Sequence, residues 1–431
     1  MRFLYDIFFI LFAAAYLPSL LLRKKLHKGF GEKFGAIPSG KTRFERPVWI
    51  HAVSVGEAAV AARLAHGVKK SFPDIPVVVS TTTRTGNIMA KQAGGKDIDA
   101  VFYYPFDISF VVDRVVRLVS PRLYIMVETE LWPNLLASMK NNGVPVALVN
   151  GRISDRSYSN YMKIRPLVRG ILRKIDSFFV QTAADARRLE ELGAPLERTV
   201  ITGNMKFDKM SEHAETGKID RDSLGIGTDD KVIVAGSTHF PEERVMIDIF
   251  AGMTEEEGDV RMILAPRHIE RVEAIKVYMG NAGLGYDLFS DISGRGGIPD
   301  GRNRIVLVDT IGHLRYLYRL ADVVFVGGSI ARRGGQNPLE PARCGKPVIF
   351  GPHMYNFREI SDMLLREGAA LRVEDESGLE SVLRRLLSDD AERRRIAEKA
   401  AEVMRANAGA TGKTVSGIVS YIGERGEAQR V

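Results

Sequence analysis

A single cysteine, Cys344, stands among 431 residues. An internal disulfide is therefore excluded, and the bulk of the chain reads as a protein of a reducing compartment. The eight histidines are scattered without an HxxxH pair, so neither they nor the lone thiol suggest a zinc-type cluster. Two acidic triplets, "DID" (97–99) and "DRD" (220–222), have the form of a metal-binding motif. They fall in a loop and in a polar connecting stretch, and no metal is expected. Long biased tracts are also missing: 45% of residues are hydrophobic and 26% charged, the balance of a globular protein. With 61 Lys and Arg against 53 Asp and Glu, the surplus is only +8, and no RNA- or DNA-binding motif accompanies it. Nucleic acid is not an expected partner.

That surplus is concentrated. Between Arg23 and Arg46 eight Lys or Arg stand against two Glu, Glu32 and Glu45. Just before lies "FLYDIFFILFAAAYLPSLLL" (3–22), interrupted by Asp6 and Pro18. Its length at ~1.5 Å per residue would just cross a ~30 Å hydrocarbon layer. A basic collar beside an apolar segment attracts anionic lipid headgroups. Residues 1–22 are accordingly read as an N-terminal membrane-anchor helix, spanning or lying in one leaflet, with the Arg23 side facing the cytoplasm. No small-residue cleavage site follows, which argues against a signal peptide. A buried core helix is the alternative.

The length suits two domains of roughly 150 to 200 residues each. Beyond residue 46, continuous Val/Ile-rich runs at 47–53, 75–83, 122–129, 144–151, 177–182 and 199–204 alternate with helical patterns. That rhythm predicts a parallel sheet with helices on both faces. A charged stretch, 206–230, interrupts it, and the rhythm restarts at 231–238, 260–266, 304–310, 322–329 and 346–352 before a charged closing helix. The expected division is an N-terminal α/β domain at 23–205, a linker at 206–230 and a second α/β domain at 231–431. Doubly wound sheets bind ligands at the carboxyl ends of their strands.

The densest candidate site is "GGSIARRGGQNPLEPARCGKPVIFGPHMYNF" (327–357). Glycines such as Gly328 let backbone N–H groups approach a ligand. Asn337 as N-cap, Pro338 at N1 and Glu340 at N3 form a capping box, or else a nucleotide site with phosphate at the helix start and Glu340 on the ribose. "HAVSVGE" (51–57) offers Ser54, Gly56 and Glu57 at a strand-to-helix turn, equally a cap and an anion site. In "ETELWPN" (128–134) two acids one residue apart point to opposite sides of an extended chain, and Glu128 is favoured over Glu130 as a substrate-binding carboxylate. "APRH" (265–268) supplies Arg267, whose bidentate fork suits a departing phosphate, and His268, which serves equally as a cap. "GSTH" (236–239) supplies Ser237 and Thr238 as neutral phosphate donors, with the same capping alternative.

Taken in register, "HAVSVGE", "STTTRTG" (80–86), "ETELWPN", "QTAADARRL" (181–189), "GNMKFD" (203–208), "GSTH", "APRH", "VDT" (308–310) and the 327–357 stretch resemble the Kdo transferases. These bacterial enzymes attach 3-deoxy-D-manno-octulosonic acid to a lipid A precursor. The resemblance covers nearly the whole chain. It implies the GT-B fold, two Rossmann-like domains facing across a cleft, with CMP-Kdo as donor substrate and lipid IVA as acceptor. It also implies inversion at the anomeric centre, no metal or other cofactor, and attachment to the cytoplasmic face of the inner membrane. "GFGEKFG" (29–35) is similar to the segment carrying the family's catalytic base, which would make Glu32 that base. Phe240, Pro241, Gly151 and Gln336 depart from the family pattern and leave local donor contacts open. An epimerase of UDP-sugars on a similar architecture is one rival, though it needs neither anchor nor basic collar. A membrane-tethered nucleotide-binding protein without activity is another.

Overall fold

Runs of Val and Ile buried on both faces become the parallel strands of two sheets. The computed structural model describes residues 2, 5–7, 9, 30–38, 40, 44–208, 219–256, 259–295 and 303–427. One compact unit comprises Met1–Met210 together with Asn407–Val431, the other Ser211–Ala406.

In the first unit the strands are β1 Val48–Ala52, β2 Val77–Thr81, β3 Ala100–Tyr103, β4 Leu123–Val127, β5 Val146–Gly151, β6 Ser177–Val180 and β7 Thr199–Ile201, in the spatial order 3-2-1-4-5-6-7. In the second they are β8 Lys231–Thr238, β9 Val260–Pro266, β10 Tyr286–Leu288, β11 Ile305–Leu307, β12 Val323–Val326, β13 Val348–Phe350 and β14 Ala370–Arg372, in the order 10-11-9-8-12-13-14. All pairings are parallel. Central strands such as β1 and β4 are buried at every position, which is why their sequences show no alternation. Trp49 is sealed between the rings of Phe102 and Tyr124 and donates to Ser80 Oγ at 2.7 Å. The strands the sequence leaves out, β3, β10 and β14, each lie at the edge of a sheet. They have only three or four residues, and β10 carries an Asp and no fully buried position.

Two boundaries differ from the sequence-based division. The linker is narrower than 206–230. Met205–Phe207 forms a 3-10 turn in the first unit, with Met205 N–H donating to Asn150 Oδ1 at 2.9 Å. On the far side Arg221 pairs with Asp322 of the second unit at 2.9 Å. The chain end, assigned above to the second domain, is divided. Helix Asp390–Asn407 remains with the second unit through Lys231 and Asp390 at 3.2 Å. Helix Ala410–Glu427 packs on helix Val55–Ser71 of the first. The carboxylate of Asp208 accepts from the N–H groups of Gly409 and Thr411 and so caps that helix. Small residues permit the contact: a Cβ at Gly67 would come within 2.5 Å of Val415, and one at Gly417 within 2.3 Å of the Phe179 ring.

Most of the apolar segment 3–22 lies outside the described residues, and among those described no helix is long and apolar enough to cross a membrane. Asp6 within the segment and Arg2 just before it are bonded to residues of the first unit. Asp6 accepts from Ser109 N–H at 3.0 Å and Asn134 Nδ2 at 2.6 Å, and Arg2 pairs with Asp113 at 2.9 Å. Asp107 holds the start of helix Pro133–Asn141 by accepting from Asn134 N–H and Leu135 N–H at 3.1 and 2.9 Å.

The Gly417 contact yields a stability prediction. Gly417→Val forces its side chain into Phe179 and is expected to destabilise the protein by about 1–3 kcal/mol. Gly412, on the same helix with nothing within 4 Å of where a Cβ would stand, is expected to accept Ala neutrally or with a slight gain. Thermal denaturation of the pair of variants checks both.

Candidate functional site

Each sheet reverses its direction of growth at one place. In the first unit this is between β1 and β4, in the second between β8 and β12. At such a reversal neighbouring loops diverge and leave a crevice at the carboxyl edge. The motifs singled out in the sequence flank these two positions.

In the first unit the loop after β1 is a completed capping box. Ser54 Oγ accepts from Glu57 N–H at 3.2 Å, while Glu57 accepts from Val53 N–H at 2.8 Å and Ser54 N–H at 3.2 Å. These groups hold the helix start, and Ser54 and Glu57 are committed to it rather than to an anion. Gly56 leaves space for Lys206, whose Cε would lie 3.4 Å from a Cβ there. Lys206 reaches Glu128 at 2.5 Å.

The alternation argument for "ETE" fails, because Glu128 lies beyond the end of β4 with φ of 62°, a left-handed conformation that takes it out of the strand pattern. Glu128 and Glu130 consequently act on each other electrostatically. Burial, then the charges of Glu57 and Glu128, push the Glu130 carboxyl up to about 7.

Glu32 occupies a 3-10 turn, Phe30–Phe34, and is buried at 8% exposure. Its Oε2 accepts from Tyr103 N–H at 2.7 Å, at the carboxyl end of β3. Lys33 follows with its Nζ donating to Thr82 O at 3.1 Å, just beyond β2. Phe106 N–H donates to Lys33 O at 2.7 Å, and the Phe34 and Phe106 rings meet edge to face. The glycine-rich loop is thus tied to the same edge of the sheet as the three acids above.

In the second unit Glu242 organises the glycine loop. Its carboxylate, 1% exposed, accepts from the N–H groups of Gly328, Ser329, Ile330 and Ala331 at 2.7, 3.0, 2.9 and 3.2 Å, and from His239 N–H at 2.9 Å. The Gly328 amide is therefore engaged by protein, contrary to the expectation that it is open to a phosphate. Gly334 and Gly335, with φ of 92° and 73°, are required by close approach to Asn356 and Met354, whose side chains would lie within 2.3 and 2.2 Å of a Cβ.

The "NPLE" cap is displaced by one residue from its expected position. The helix is Leu339–Arg343, preceded by Pro338, and Asn337 Oδ1 accepts from Leu339 N–H at 3.1 Å. Asn337 Nδ2 donates to Glu340 Oε1 at 3.1 Å. Five residues make too short a helix to supply a strong terminal dipole for phosphate.

The open part of this crevice is lined instead by His239, His268, Gln336 and Arg267. The two imidazoles meet edge to face with centroids 5.2 Å apart, and Gln336 Nε2 lies 3.3 Å from His239 Nε2. Burial foremost holds the His239 ring below the usual imidazole range, and His268, Arg333 and Arg267 add to the effect against the opposing charge of Glu242. His239 is thus neutral at physiological pH and its Nε2 is suited to accept from the Gln336 amide. Arg267 and His268 are exposed just past β9, and the Arg267 guanidinium makes no hydrogen bond among the described residues. Ser237 sits at a break in the β8/β9 register with φ of 55° and is half-buried. Thr238 is fully buried, and its hydroxyl does not face this crevice's solvent.

Sequence reasoning did not select Glu242, His239, Gln336 or Lys206. His239 and Glu242 do have His-x-x-Glu spacing, but the carboxylate faces backbone amides, and no group of residues suited to a metal occurs among the described residues. The prediction from this arrangement concerns Glu242. Glu242→Ala leaves several buried N–H groups unpaired, each costing about 1–3 kcal/mol. It is expected to unfold the 327–336 loop and lower the stability of the second unit, measured by hydrogen exchange and thermal denaturation.

Comparison with known proteins agrees with the motifs that flank these crevices. Residues 28–209 match the family described as 3-deoxy-D-manno-octulosonic-acid transferase (kdotransferase). The chain is 30% identical over 394 residues to a 3-deoxy-D-manno-octulosonic acid transferase of Haemophilus influenzae, covering 91% of each protein. It is 33% identical to that of Bordetella pertussis, covering 88% of each. Among solved structures, UDP-GlcNAc 2-epimerase from Neisseria meningitidis superposes with a TM-score of 0.52 at 12% identity, over 87% of this chain and 100% of that one. This last likeness is one of fold alone. With sequence matches of this extent over most of its length, the chain belongs to the Kdo transferases, a family of glycosyltransferases.

Proposed function

We propose that the protein transfers Kdo from CMP-Kdo to lipid IVA, the lipid A precursor, in lipopolysaccharide biosynthesis. On this reading the architecture is GT-B, the first unit holds the acceptor and the second the CMP-Kdo donor. The N-terminal apolar segment and its basic collar keep the enzyme at the cytoplasmic face of the inner membrane. The observation that carries the reading is the placement of Glu32. A carboxylate within the collar is fixed by the Tyr103 amide at the carboxyl edge of the first sheet.

The chemistry follows from what these side chains offer. The acceptor hydroxyl oxygen attacks the anomeric carbon of Kdo from the face opposite the phosphate, which inverts that centre. The bond from this carbon to the phosphate oxygen breaks, and CMP leaves with the electron pair. Positive charge gathers on the sugar as in glycoside hydrolysis. The hydroxyl proton passes to the Glu32 carboxylate, which the Tyr103 amide orients. Arg267, without a hydrogen bond among the described residues at the second unit's crevice, offsets the charge gathering on the departing phosphate. Asn337 and Glu340, already hydrogen-bonded to each other, present a paired donor and acceptor suited to ribose hydroxyls. No step requires a metal.

Glu32→Gln is expected to abolish transfer while leaving CMP binding intact, read by mass analysis of the lipid product and by calorimetry. Retained transfer would remove Glu32 as base. Arg267→Ala is expected to lower kcat by roughly 100-fold, the scale of losing one charge-stabilising donor. EDTA is expected to leave the wild-type rate unchanged.

A further inference from the structure

Three carboxyl groups converge on the switch point of the first sheet, and their hydrogen bonding separates them. Glu57 gives both oxygens to the turn that starts its helix, Oε2 to Val53 N–H and Oε1 to Ser54 N–H. Glu128 is paired with Lys206. Glu130 is half-buried and makes no hydrogen bond or ion pair among the described residues. Leaving a carboxyl group partly out of water without a partner is costly, and such exceptions need a reason. The position supplies one, because Glu130 lies in the loop leaving β4 beside β1, where an open α/β sheet forms its ligand crevice.

We infer that Glu130 is a substrate-binding residue whose carboxyl group hydrogen-bonds a hydroxyl of the acceptor's sugar. This rests on the reading of the first unit as the acceptor-holding one. The groups acting on Glu130 define the chemistry it accepts. They are Glu57 from the helix after β1, Glu128 from its own loop, Tyr104 after β3, Tyr124 within β4 and Tyr161 from helix Asp155–Lys163.

The charges that act on Glu130 are those of Glu57 and Glu128, both negative, which disfavours a phosphate beside it and suits a neutral hydroxyl. Trp132 and Tyr161 are half-buried nearby in sequence and space respectively, the kind of flat apolar wall against which a sugar ring stacks. Near neutral pH Glu130 is divided between its two forms. The protonated form donates as well as accepts and so matches both functions of a sugar hydroxyl. As pH rises through this range the donor is lost and a third negative charge is added to the crevice, so acceptor binding weakens.

The test is steady-state kinetics of the full-length protein in detergent with CMP-Kdo and lipid IVA, between pH 6 and 8.5. Losing one hydrogen bond to substrate predicts that Glu130→Ala raises the acceptor KM about tenfold, with the CMP-Kdo KM and kcat changed less than about threefold. The wild-type acceptor KM rises with pH across this interval. Glu130→Gln, which keeps a donor and an acceptor at every pH, abolishes that rise. An unchanged acceptor KM in Glu130→Ala, or the same pH-dependent rise in Glu130→Gln, overturns the assignment. Wild-type protein that transfers no Kdo overturns the functional reading instead. Direct titration of lipid IVA into wild type and Glu130→Gln at pH 6 and 8.5 then decides the role of Glu130 alone, by whether the loss of affinity with pH is confined to wild type.

Discussion

The carboxylate of Glu242 holds together what the second unit uses to meet a ligand. A loop that leaves a central strand at a switch point exposes consecutive N–H groups, and those groups need an acceptor whether or not substrate is bound. Glu242 supplies it from the first turn of the helix after β8, binding the amides of residues 328–331 and of His239 with one side chain. The same bond fixes the turn that presents His239 beside Gln336 and His268. Loop shape and imidazole position both depend on that one buried acid.

The first unit repeats the device on a smaller scale. Asp107 accepts from the start of helix Pro133–Asn141, Asp185 from Ile153 N–H at 2.9 Å, and Asp99 from Val77 N–H at 2.7 Å. Acids near the ends of strands and helices act as fasteners for backbone amides that the regular elements leave unpaired. This divides the carboxylates of the crevice by function. Glu57 is a fastener, Glu128 an ion-pair partner, and Glu32 accepts from the Tyr103 amide at the site where the proposed base is needed. Glu130 remains over, and its environment penalises its charge. A polar group with no structural duty at a ligand-binding edge is best explained by the ligand.

Most of the architecture was legible in the residues. Central strands announce themselves as unbroken Val/Ile runs because both their faces are covered. β3, β10 and β14 did not, because an edge strand is short and need not be apolar throughout. The terminal helix was assigned to the wrong unit for a comparable reason. Its amphipathic pattern states that one face is covered but not by what, and the complementary surface, Gly67 on the helix after β1 and Phe179 on β6, is more than 200 residues away.

The sequence by itself determined the class of protein, the two-sheet plan and the motifs that mark its family, since these depend on local periodicity and on residues near one another in the chain. Only the tertiary structure decided which polar groups are free to act. Whether Gly328 N–H, Thr238 Oγ1 or Glu57 meets a ligand depends on partners brought close by folding, and Glu242 reaches Gly328 across 86 residues. The stretch "ETE" shows the limit most plainly. Two identical acids one residue apart receive opposite roles because Lys206, far along the chain, arrives beside the first and leaves the second without a partner among the described residues.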